Sequence, residues 1–484
     1  MTTALIDEQA ETLVIAGEGA RPASATLEGP RARVSGRLTG GGKTWKATFP
    51  LRTSRWGGAE LPLPSGAYDL AIDGDVGAEA ADLDELELEQ VLLPTLRVEV
   101  RGTRVVIAAP IAPIYETPEG QRTLEERYAS QIGAGENAVF FESFYGQNAG
   151  CNPRAIDRVL AERAPAVTRY WSVTDLSVEV PEGAVPVVEG GPEWWRARAE
   201  SRMLIVNDWL RRRFVRKPGQ RVLQTWHGTP LKRLALHRPG FDPRRMAAVI
   251  KESRRWDVLL AQNVYAARIL KKAYAFFGKP LWVEGYPRND LFTTGDPAPI
   301  REALGIRADE RVLLYAPTWR DDRSEMVDFI DPQQLAAQTD SVVLVRGHSR
   351  TLKPGRDHSG ARVIDVTGYP ETARLLLIAD ALITDYSSVM FDFSVTGRPM
   401  FFLVPDLEHY RGELRGFYFD LAERAPGPLV HTQEQLVRAL EDPEVPVAYQ
   451  DRYAAWKAQF NKLDDGGAAE RVVSRILDQG WLTA

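Results

Sequence analysis

Residues 381–388 read ALITDYSS, in which a short apolar run ends in an aspartate and two serines. Two apolar runs upstream also end in polar residues. They are RVLLYAPTW at residues 311–319 and SVVLVRGH at residues 341–348. Short apolar runs that alternate with helical stretches such as PETARLLLIAD are typical of a parallel sheet covered on both faces. The stretch therefore predicts an α/β fold with polar groups at the carboxyl ends of neighbouring strands, where ligands bind in such sheets.

The same alternation begins near residue 135 and restarts near Leu281, after a stretch that carries glycine and proline. We therefore expect two Rossmann-like halves that face a cleft, preceded by a small all-β domain. The boundaries that follow from this pattern are 1–110 for the β-rich domain, 111–134 for a linker that runs into a helix, 135–280 for the first half, and 281–484 for the second half, whose final helices pack back.

The first 110 residues show the two-residue alternation of antiparallel strands. In TWKATFPL, residues 44–51, the side chains of Trp45, Ala47 and Phe49 fall on one face of an extended strand. A hairpin is expected around Arg101 and Gly102, and the regular spacing of strands predicts a small sandwich or barrel. The acidic stretch 73–89 interrupts this pattern and is interpreted as a solvated loop or edge, so no metal is assigned to its DGD sequence.

Composition excludes several classes of protein. The 484 residues include 60 basic and 66 acidic side chains, a net charge of −6, which argues against a generic nucleic-acid-binding protein. The single cysteine excludes an internal disulfide framework. No stretch approaches the roughly 20 apolar residues that a membrane-spanning helix requires, and the acidic N-terminus does not resemble a signal peptide. We therefore expect a cytoplasmic protein whose contact with the inner face of the membrane is peripheral.

A histidine follows the apolar run RVLQTW in the sequence RVLQTWHGTPLK, residues 221–232. This order places His227 at the end of a strand, with Thr229 as the cap and Pro230 as the first residue of a helix. A neutral imidazole in that position could accept a proton from a hydroxyl nucleophile. The alternative is a packed structural histidine at a turn between a strand and a helix.

Further polar groups follow other strands. They are the DYSS cluster, Arg346 with His348, the pair Pro317 and Thr318, and Arg288 in GYPRND, residues 285–290. Ordinary helix capping accounts for one serine or the aspartate of DYSS, but less well for the whole cluster. Together these groups predict a site for a nucleotide diphosphate at the cleft. The motifs GxxxxGK[ST], GxGxxG, HExxH and GxSxG are absent, and neither a metal nor a cofactor is assigned.

A basic patch carries Arg211, Arg212, Arg213 and Arg216 with aromatic residues between them. It could contact an anionic polymer or an acidic membrane surface, or it could be a solvated face of the protein. The arginine-rich segment 236–256 could also reach the membrane interface. The chain has 49 arginines and 11 lysines, which suits bidentate recognition of oxyanions but can equally reflect codon usage.

The motifs TWHGTPLKRL, GYPRND, YAPTWR, GHS and ITDYSSVMFDF, in this order, resemble the CDP-glycerol:poly(glycerophosphate) glycerophosphotransferase family. FESFYGQNAGCNPRAI, RGFYFD and PGPLV fit the same family, so the resemblance covers residues 135–480. It implies a GT-B fold, with an acceptor domain followed by a CDP-donor domain. It also implies transfer of glycerol phosphate from CDP-glycerol to an anionic polyol-phosphate acceptor, possibly lipid-linked, with release of CMP.

The resemblance also implies roles for individual residues. His227 would be the general base, and His348, Ser387 and Ser388 would hold the donor pyrophosphate. The donor site would be completed by Arg288, Pro317, Thr318, Asp385 and Asp392, with Gly228, Thr229, Pro230 and Arg346 beside them. In-line attack at phosphorus needs positioning and charge stabilisation more than covalent catalysis, which suits these residue types.

Three alternatives remain open at this stage. A transferase of the same family could use CDP-ribitol, and a GT-B glycosyltransferase could use a nucleotide sugar and release a nucleoside diphosphate. A non-catalytic protein could instead bind a polymer through the β-rich domain. The nucleotide that is released separates the first two from each other, and nucleotide binding separates both from the third.

Overall fold

A computed structural model describes residues 2–73, 83–318, 329–347, 362–409 and 416–484. The chain divides into two compact units, one made of residues 1–131, 145–148 and 170–199, and the other of residues 132–144, 149–169 and 200–484. No helix in the described ranges is long and apolar enough to cross a bilayer. The domain boundaries given in the sequence analysis remain predictions.

The first unit contains antiparallel strands from the N-terminal region. Their bounds are β1 (Thr3–Asp7), β2 (Thr12–Glu18), β3 (Ser24–Glu28), β4 (Arg33–Ser35), β5 (Arg37–Gly41), β6 (Thr44–Pro50), β7 (Arg52–Ser54), β8 (Glu60–Pro62), β9 (Gly66–Asp73), β10 (Glu87–Leu92), β11 (Arg97–Arg101) and β12 (Arg104–Ala108). One sheet has the order β1-β2-β6-β5, a second has the order β10-β11-β12-β9-β3-β4, and β7 pairs with β8.

A shared hydrophobic core lies between the two larger sheets. Trp45, Ala47 and Phe49 of β6 are buried there, as the alternation predicts, together with Leu27 and Tyr68 from the other sheet. The predicted hairpin is confirmed, because β11 and β12 pair from Arg101↔Arg104 outward. The N-terminal region is therefore an antiparallel sandwich, in which strands such as β2, β6 and β9 bury every second side chain in the core.

Residues 111–134, predicted as a linker, contain the helices α1 (Pro113–Glu116) and α2 (Pro118–Ser130). Thr117 caps α2, because its hydroxyl accepts a hydrogen bond from the N–H of Gly120. The first unit also contains residues 170–173 of β14 (Thr168–Val173), which pair in parallel with β15 (Val185–Val188).

The second unit contains two parallel arrays of strands. The first runs in the order β13-β16-β17-β18-β19, and the second in the order β22-β21-β20-β23-β24-β25. Their bounds are β13 (Glu136–Glu142), β16 (Ser201–Val206), β17 (Arg221–Gln224), β18 (Val258–Ala261), β19 (Leu281–Val283), β20 (Arg311–Ala316), β21 (Ser341–Val345), β22 (Val363–Asp365), β23 (Ala381–Thr384), β24 (Met400–Leu403) and β25 (Leu429–Val430). Strands such as β18 and β21 are buried along their whole length, as continuous apolar runs predict.

The helices complete the architecture. Their bounds are α3 (Cys151–Arg163), α4 (Pro192–Glu200), α5 (Pro243–Ser253), α6 (Val264–Ala273), α7 (Leu291–Thr294), α8 (Ala298–Ala303), α9 (Pro332–Gln338), α10 (Thr372–Ile378), α11 (Val389–Phe393), α12 (Leu407–His409), α13 (Leu421–Arg424), α14 (Gln433–Glu441), α15 (Glu444–Ala448), α16 (Gln450–Phe460) and α17 (Ala468–Asp478). The predicted fold class is confirmed, because two Rossmann-like parallel sheets follow an antiparallel all-β region.

Two local predictions differ from the structure. The strand at residues 281–283, which the sequence rhythm places at the start of the second half, pairs with β18 and extends the first parallel array. The pair Asn152 and Pro153 at the beginning of NPRAIDRVLAERAP predicts a helix with Asn152 as its cap, but α3 begins at Cys151 and has no side-chain cap. The Asn152 side chain points into the candidate active site instead, where it bonds the backbone of another turn.

Candidate active site

His227 lies three residues beyond the end of β17, as the sequence predicts. Its ring nitrogen Nδ1 is 2.6 Å from the carbonyl oxygen of Asn207, which follows the neighbouring strand β16. A carbonyl oxygen only accepts hydrogen bonds, so Nδ1 carries the proton and donates it. In the neutral ring, Nε2 is therefore the nitrogen with a free lone pair, which is the form that a general base requires.

Aromatic rings surround the imidazole. The ring of Trp226 stacks on His227 with centroids 4.6 Å apart, and the ring of Phe144 contacts it at 5.5 Å. Burial lowers the pKa of His227 below its ordinary value, and the charge of Arg288 lowers it further. Asp208 and the carbonyl of Asn207 act in the opposite direction. The net effect favours the neutral, proton-accepting ring at physiological pH.

The turn after His227 is not the beginning of a helix, so that prediction is wrong. Residues 228–234 are irregular, and the hydroxyl of Thr229 donates to Oε1 of Gln262 at 2.5 Å instead of capping. The chain then runs beside residues 416–418, because Lys232 forms an antiparallel bridge to Phe417. These partners lie far away in the sequence, and they keep Pro230 out of a helix.

The DYSS turn follows β23 and precedes the short helix α11. The carboxylate of Asp385 accepts hydrogen bonds from the N–H groups of Thr318 and Tyr386, at 2.9 Å and 2.5 Å. Ser387 and Ser388 are half-buried at the helix entry. Asp385 therefore holds two neighbouring strand ends together, with the two partly exposed serines beside it.

The two turns meet at Gly228. A Cβ atom on this glycine would lie 2.7 Å from Oγ of Ser388, which is closer than real Cβ atoms come to other atoms. A side chain at position 228 would therefore have to displace Ser388, so glycine favours the close approach of the His227 turn to the DYSS turn. The histidine and serine motifs, 160 residues apart in the sequence, form one site.

A buried ion pair connects the same two regions. Arg288 donates from Nη2 to Asp392 at 2.7 Å and from Nε to the same carboxylate at 3.3 Å. Its Nη1 donates to the carbonyl oxygen of His227 and to Sγ of Cys151, both at 3.0 Å. Burial, the largest single effect, lowers the pKa of Arg288, but the charge and hydrogen bond of Asp392 together with Cys151 and Tyr286 outweigh it, so the pKa is raised. Arg288 thus stays charged and fixes the backbone of His227.

The remaining predicted donor residues occupy the ends of β20 and β21. Pro317 and Thr318 follow β20 directly, beside Asp385. Arg346 follows β21, and its Nη1 donates to the carbonyl oxygens of Val366 and Tyr369 at 2.9 Å and 3.0 Å. Burial lowers the pKa of Arg346 to about 10, so it remains a cation at neutral pH. His348 lies outside the described residues.

Sequence reasoning missed a polar network beneath the turns. Asp464 accepts hydrogen bonds from Gln262, Asn461 and Asn289, and from the backbone N–H of Tyr286. Burial raises the pKa of Asp464 to about 6. Gln262 and Asn207 each follow a parallel strand directly, so the rule that selected His227 also applied to them. Asp464 has no such local signal, because its partners come together only in the fold.

The four arginines of the basic patch, at positions 211–213 and 216, are exposed. Arg216 forms an ion pair with Asp257, at 2.6 Å from its Nη1, and also donates to the carbonyl of Arg255. Its neighbourhood includes a shallow pocket of about 510 Å³ lined by Phe214, Ile250 and the cations Lys251 and Arg254. In the part of the chain that the structure describes, no group of three or more His, Cys, Asp or Glu side chains could hold a metal ion.

Comparison with known proteins agrees with this geometry. The family described as CDP-Glycerol:Poly(glycerophosphate) glycerophosphotransferase matches residues 127–478. The chain belongs to this family. The match contains the His227 turn, Arg288 and the DYSS turn, so it covers the whole of the site described above.

Relatives and solved structures point the same way. The chain is 37% identical to the teichoic acid poly(glycerol phosphate) polymerase of Bacillus subtilis over 72% of its own length and 50% of the relative's. It is 34% identical to the teichoic acid glycerol-phosphate transferase of Staphylococcus aureus, over 70% and 93% of the two chains. Structures of the wall teichoic acid polymerase TagF superpose with a TM-score of 0.69 at 31% identity, over 76% of this chain and 94% of that one. The chain thus spans half the length of the first relative.

Proposed function

We propose that the chain transfers glycerol phosphate from CDP-glycerol to a hydroxyl group of a polyol-phosphate acceptor of the teichoic-acid type and releases CMP. The observation that carries this proposal is the geometry of His227, whose Nδ1–H is fixed on Asn207 while Nε2 is left to accept a proton. Membership of the glycerophosphotransferase family supports it. So do the names of two relatives, a teichoic acid poly(glycerol phosphate) polymerase that is 37% identical and a teichoic acid glycerol-phosphate transferase that is 34% identical.

In the proposed step, Nε2 of His227 accepts the proton of the acceptor hydroxyl as its oxygen attacks the phosphorus that carries glycerol. A new phosphorus–oxygen bond forms to the acceptor, and the anhydride bond to the second phosphorus breaks. CMP leaves with the electron pair of that bond, and the imidazolium then returns its proton to solvent. Positioning and a lowered pKa serve such a reaction, because the base must be neutral before the attack.

The donor pyrophosphate is proposed to lie against the DYSS turn, where Ser387 and Ser388 offer hydroxyls. Gly228, Thr229, Pro230, Pro317, Thr318 and His348 belong to the same proposed donor site. Arg288 binds both the carboxylate of Asp392 and the backbone carbonyl of His227, so we infer that the pair acts by holding the turns. Arg346, bonded to two carbonyl oxygens, is inferred to support the loop after β22.

A donor screen tests the reaction. The purified chain is incubated with a phosphopolyol acceptor and, in separate reactions, with CDP-glycerol, CDP-ribitol or a UDP-sugar, and the released nucleotide is identified by chromatography. The proposal expects CMP from CDP-glycerol. CMP released faster from CDP-ribitol would identify a ribitol-phosphate transferase, and release of a nucleoside diphosphate from a sugar donor would identify a glycosyltransferase. Either result would overturn the proposed donor.

We also propose that the protein acts at the inner surface of the cytoplasmic membrane, on an acceptor that is lipid-linked. Phe241 is 84% exposed and precedes the basic helix α5. An exposed aromatic ring beside cations suits the interface of an anionic bilayer. The patch of Arg211, Arg212 and Arg213 could add to this attraction.

Cosedimentation with vesicles tests this location. Wild-type protein is expected to bind vesicles that contain anionic phosphatidylglycerol more strongly than neutral phosphatidylcholine vesicles. Phe241→Ser should weaken this binding, whereas Val447→Ser, at a side chain that is 60% exposed on α15, should leave it unchanged. Equal binding to both kinds of vesicle, or an equal loss of binding in both variants, would contradict the proposal that this surface contacts the membrane.

A further inference from the structure

Asn152 is a fully buried side chain in the first turn of α3. An asparagine in such a place often caps its own helix, but α3 has no side-chain cap. The hydrogen bonds of this amide go to other segments of the chain, so the side chain does not stabilise the beginning of its own helix.

The amide of Asn152 joins two turns of the candidate active site. Its Nδ2 donates to the carbonyl oxygens of Trp226 and Thr225, at 3.0 Å and 3.3 Å. Its Oδ1 accepts the backbone N–H of Arg288 at 3.3 Å. The carbonyl of Trp226 belongs to the peptide bond that leads into His227, so this contact fixes the plane from which the imidazole extends.

The turn held in this way has a backbone that needs support. Trp226 has a φ angle of +53°, in the left-handed region that bulky side chains rarely adopt. Its N–H donates to the side chain of Gln224 at 2.9 Å, and Arg288 binds the carbonyl on the other side of His227. The hydroxyl of Thr225 also donates to the carbonyl of Trp226, at 3.3 Å. Four side chains thus hold three successive peptide groups, and Asn152 is the one that binds two of their carbonyls.

We propose that Asn152 is a positioning residue for the general base His227: it holds the Thr225–Trp226 backbone so that Nε2 faces the attacking hydroxyl. This inference rests on the proposed function, because it takes His227 as the base of that reaction. Asn152 itself has no need to touch either substrate.

Two substitutions and a matched control test the proposal. Asn152→Asp keeps the shape but turns an acceptor oxygen toward two carbonyl oxygens, and Asn152→Ala removes the contacts without adding a charge. The control is Asn137, whose amide also binds backbone, donating to the carbonyl of Thr483 at 2.8 Å and accepting its N–H at 2.9 Å. Asn137→Asp and Asn137→Ala should behave as wild type in turnover.

The kinetic readout separates positioning from binding. We expect kcat with CDP-glycerol to fall about 100-fold in Asn152→Asp and about 10-fold in Asn152→Ala, because small displacements of a catalytic group have effects of this size. The KM for CDP-glycerol should stay within about threefold, since the donor contacts are left in place. An unchanged kcat, or a rise in KM alone, would overturn the proposal.

A second readout needs no substrate. The His227 ring is titrated by NMR in folded protein, with its signal assigned by its loss in His227→Gln. Loosening the turn admits water to the ring, so both Asn152 variants should raise its pKa toward the ordinary value, and the Asn137 variants should not. If the pKa of His227 does not change, or if neither Asn152 variant folds, Asn152 only stabilises the fold and does not position His227. Absence of CMP release by the wild type would instead refute the proposed function. It would not affect what the titration of His227 shows about Asn152.

Discussion

The turn of His227 and the DYSS turn follow strands of two different parallel sheets and meet at Gly228, but they are held in different ways. The histidine turn is irregular and is held by groups from other segments of the chain, among them the backbone carbonyl of Asn207 and the side chain of Gln262. The DYSS turn is held by a side chain of its own, since the carboxylate of Asp385 accepts the N–H groups of Thr318 and Tyr386, and a short helix begins at once.

This difference suggests that the histidine turn positions a general base and that the DYSS turn binds phosphate. A general base must be held by groups that fix one nitrogen and leave the other free, which requires partners from several segments. A phosphate cradle needs hydroxyls and N–H groups at the beginning of a helix, which a local sequence can provide. The following predictions test this contrast, from the largest expected effect to the smallest.

The ion pair that joins the turns should be the most sensitive point. Arg288→Met leaves the Asp392 carboxylate buried without its partner, so we expect a loss of about 3–5 kcal/mol in the free energy of unfolding. Urea unfolding at pH 7.5 measures it. Arg307→Met, which breaks an exposed pair with Asp309, should cause no measurable change. Equal effects in the two variants would mean that burial of the Arg288–Asp392 pair is unimportant.

The contact between the turns should tolerate no side chain. Gly228→Ala places a methyl group 2.7 Å from Oγ of Ser388, so Ser388 or the turn that carries it must shift. We expect kcat/KM to fall about 10- to 100-fold, as displacements near 1 Å commonly cause. Gly135→Ala is the control, because no atom lies within 4 Å of the Cβ that it adds. Full activity in Gly228→Ala would show that the close approach is not needed.

The serine turn should act on binding more than on turnover. In Ser387→Ala we expect KM for CDP-glycerol to rise about three- to tenfold with kcat within about twofold, because the hydroxyl holds donor in the ground and transition states alike. Steady-state kinetics at saturating acceptor measure both constants. A loss confined to kcat would give this turn a role in the chemical step and would remove the contrast with His227.

The pH dependence should report the buried ring. The neutral imidazole is the active form, so kcat/KM is expected to be constant at neutral pH and to fall as the pH drops through the pKa of His227. Burial and Arg288 lower that pKa, so the acid limb should lie below the ordinary histidine value of about 6.5. An acid limb above that value would contradict the environment described for the ring.

Much of the fold follows from hydrophobic periodicity. Alternation places Trp45 and Phe49 in the core of the sandwich, and continuous apolar runs such as β21 identify the parallel sheets. The pairing of β19 could not be predicted in this way, because a three-residue strand carries no information on which sheet it joins.

The site was predictable to the extent that strand ends define it. His227 and the DYSS cluster lie where the order of strands and polar residues places them. The hydrogen-bond partners of His227 and the helix expected at Pro230 could not be predicted correctly, because residues 231–234 pair with a segment more than 180 positions later. The prediction that Asn152 caps a helix is wrong for a similar reason, because its hydrogen-bond partners are distant in the sequence.

The most direct test of the central claim is CMP release from CDP-glycerol by wild-type protein and by His227→Gln and His227→Ala. All three are measured with the same acceptor at pH 7.5, after circular dichroism has confirmed that each is folded. Loss of a general base is expected to lower kcat by about 10²- to 10⁴-fold in both variants, with little change in KM for the donor. Turnover within about twofold of wild type in the folded variants would show that His227 is not the base.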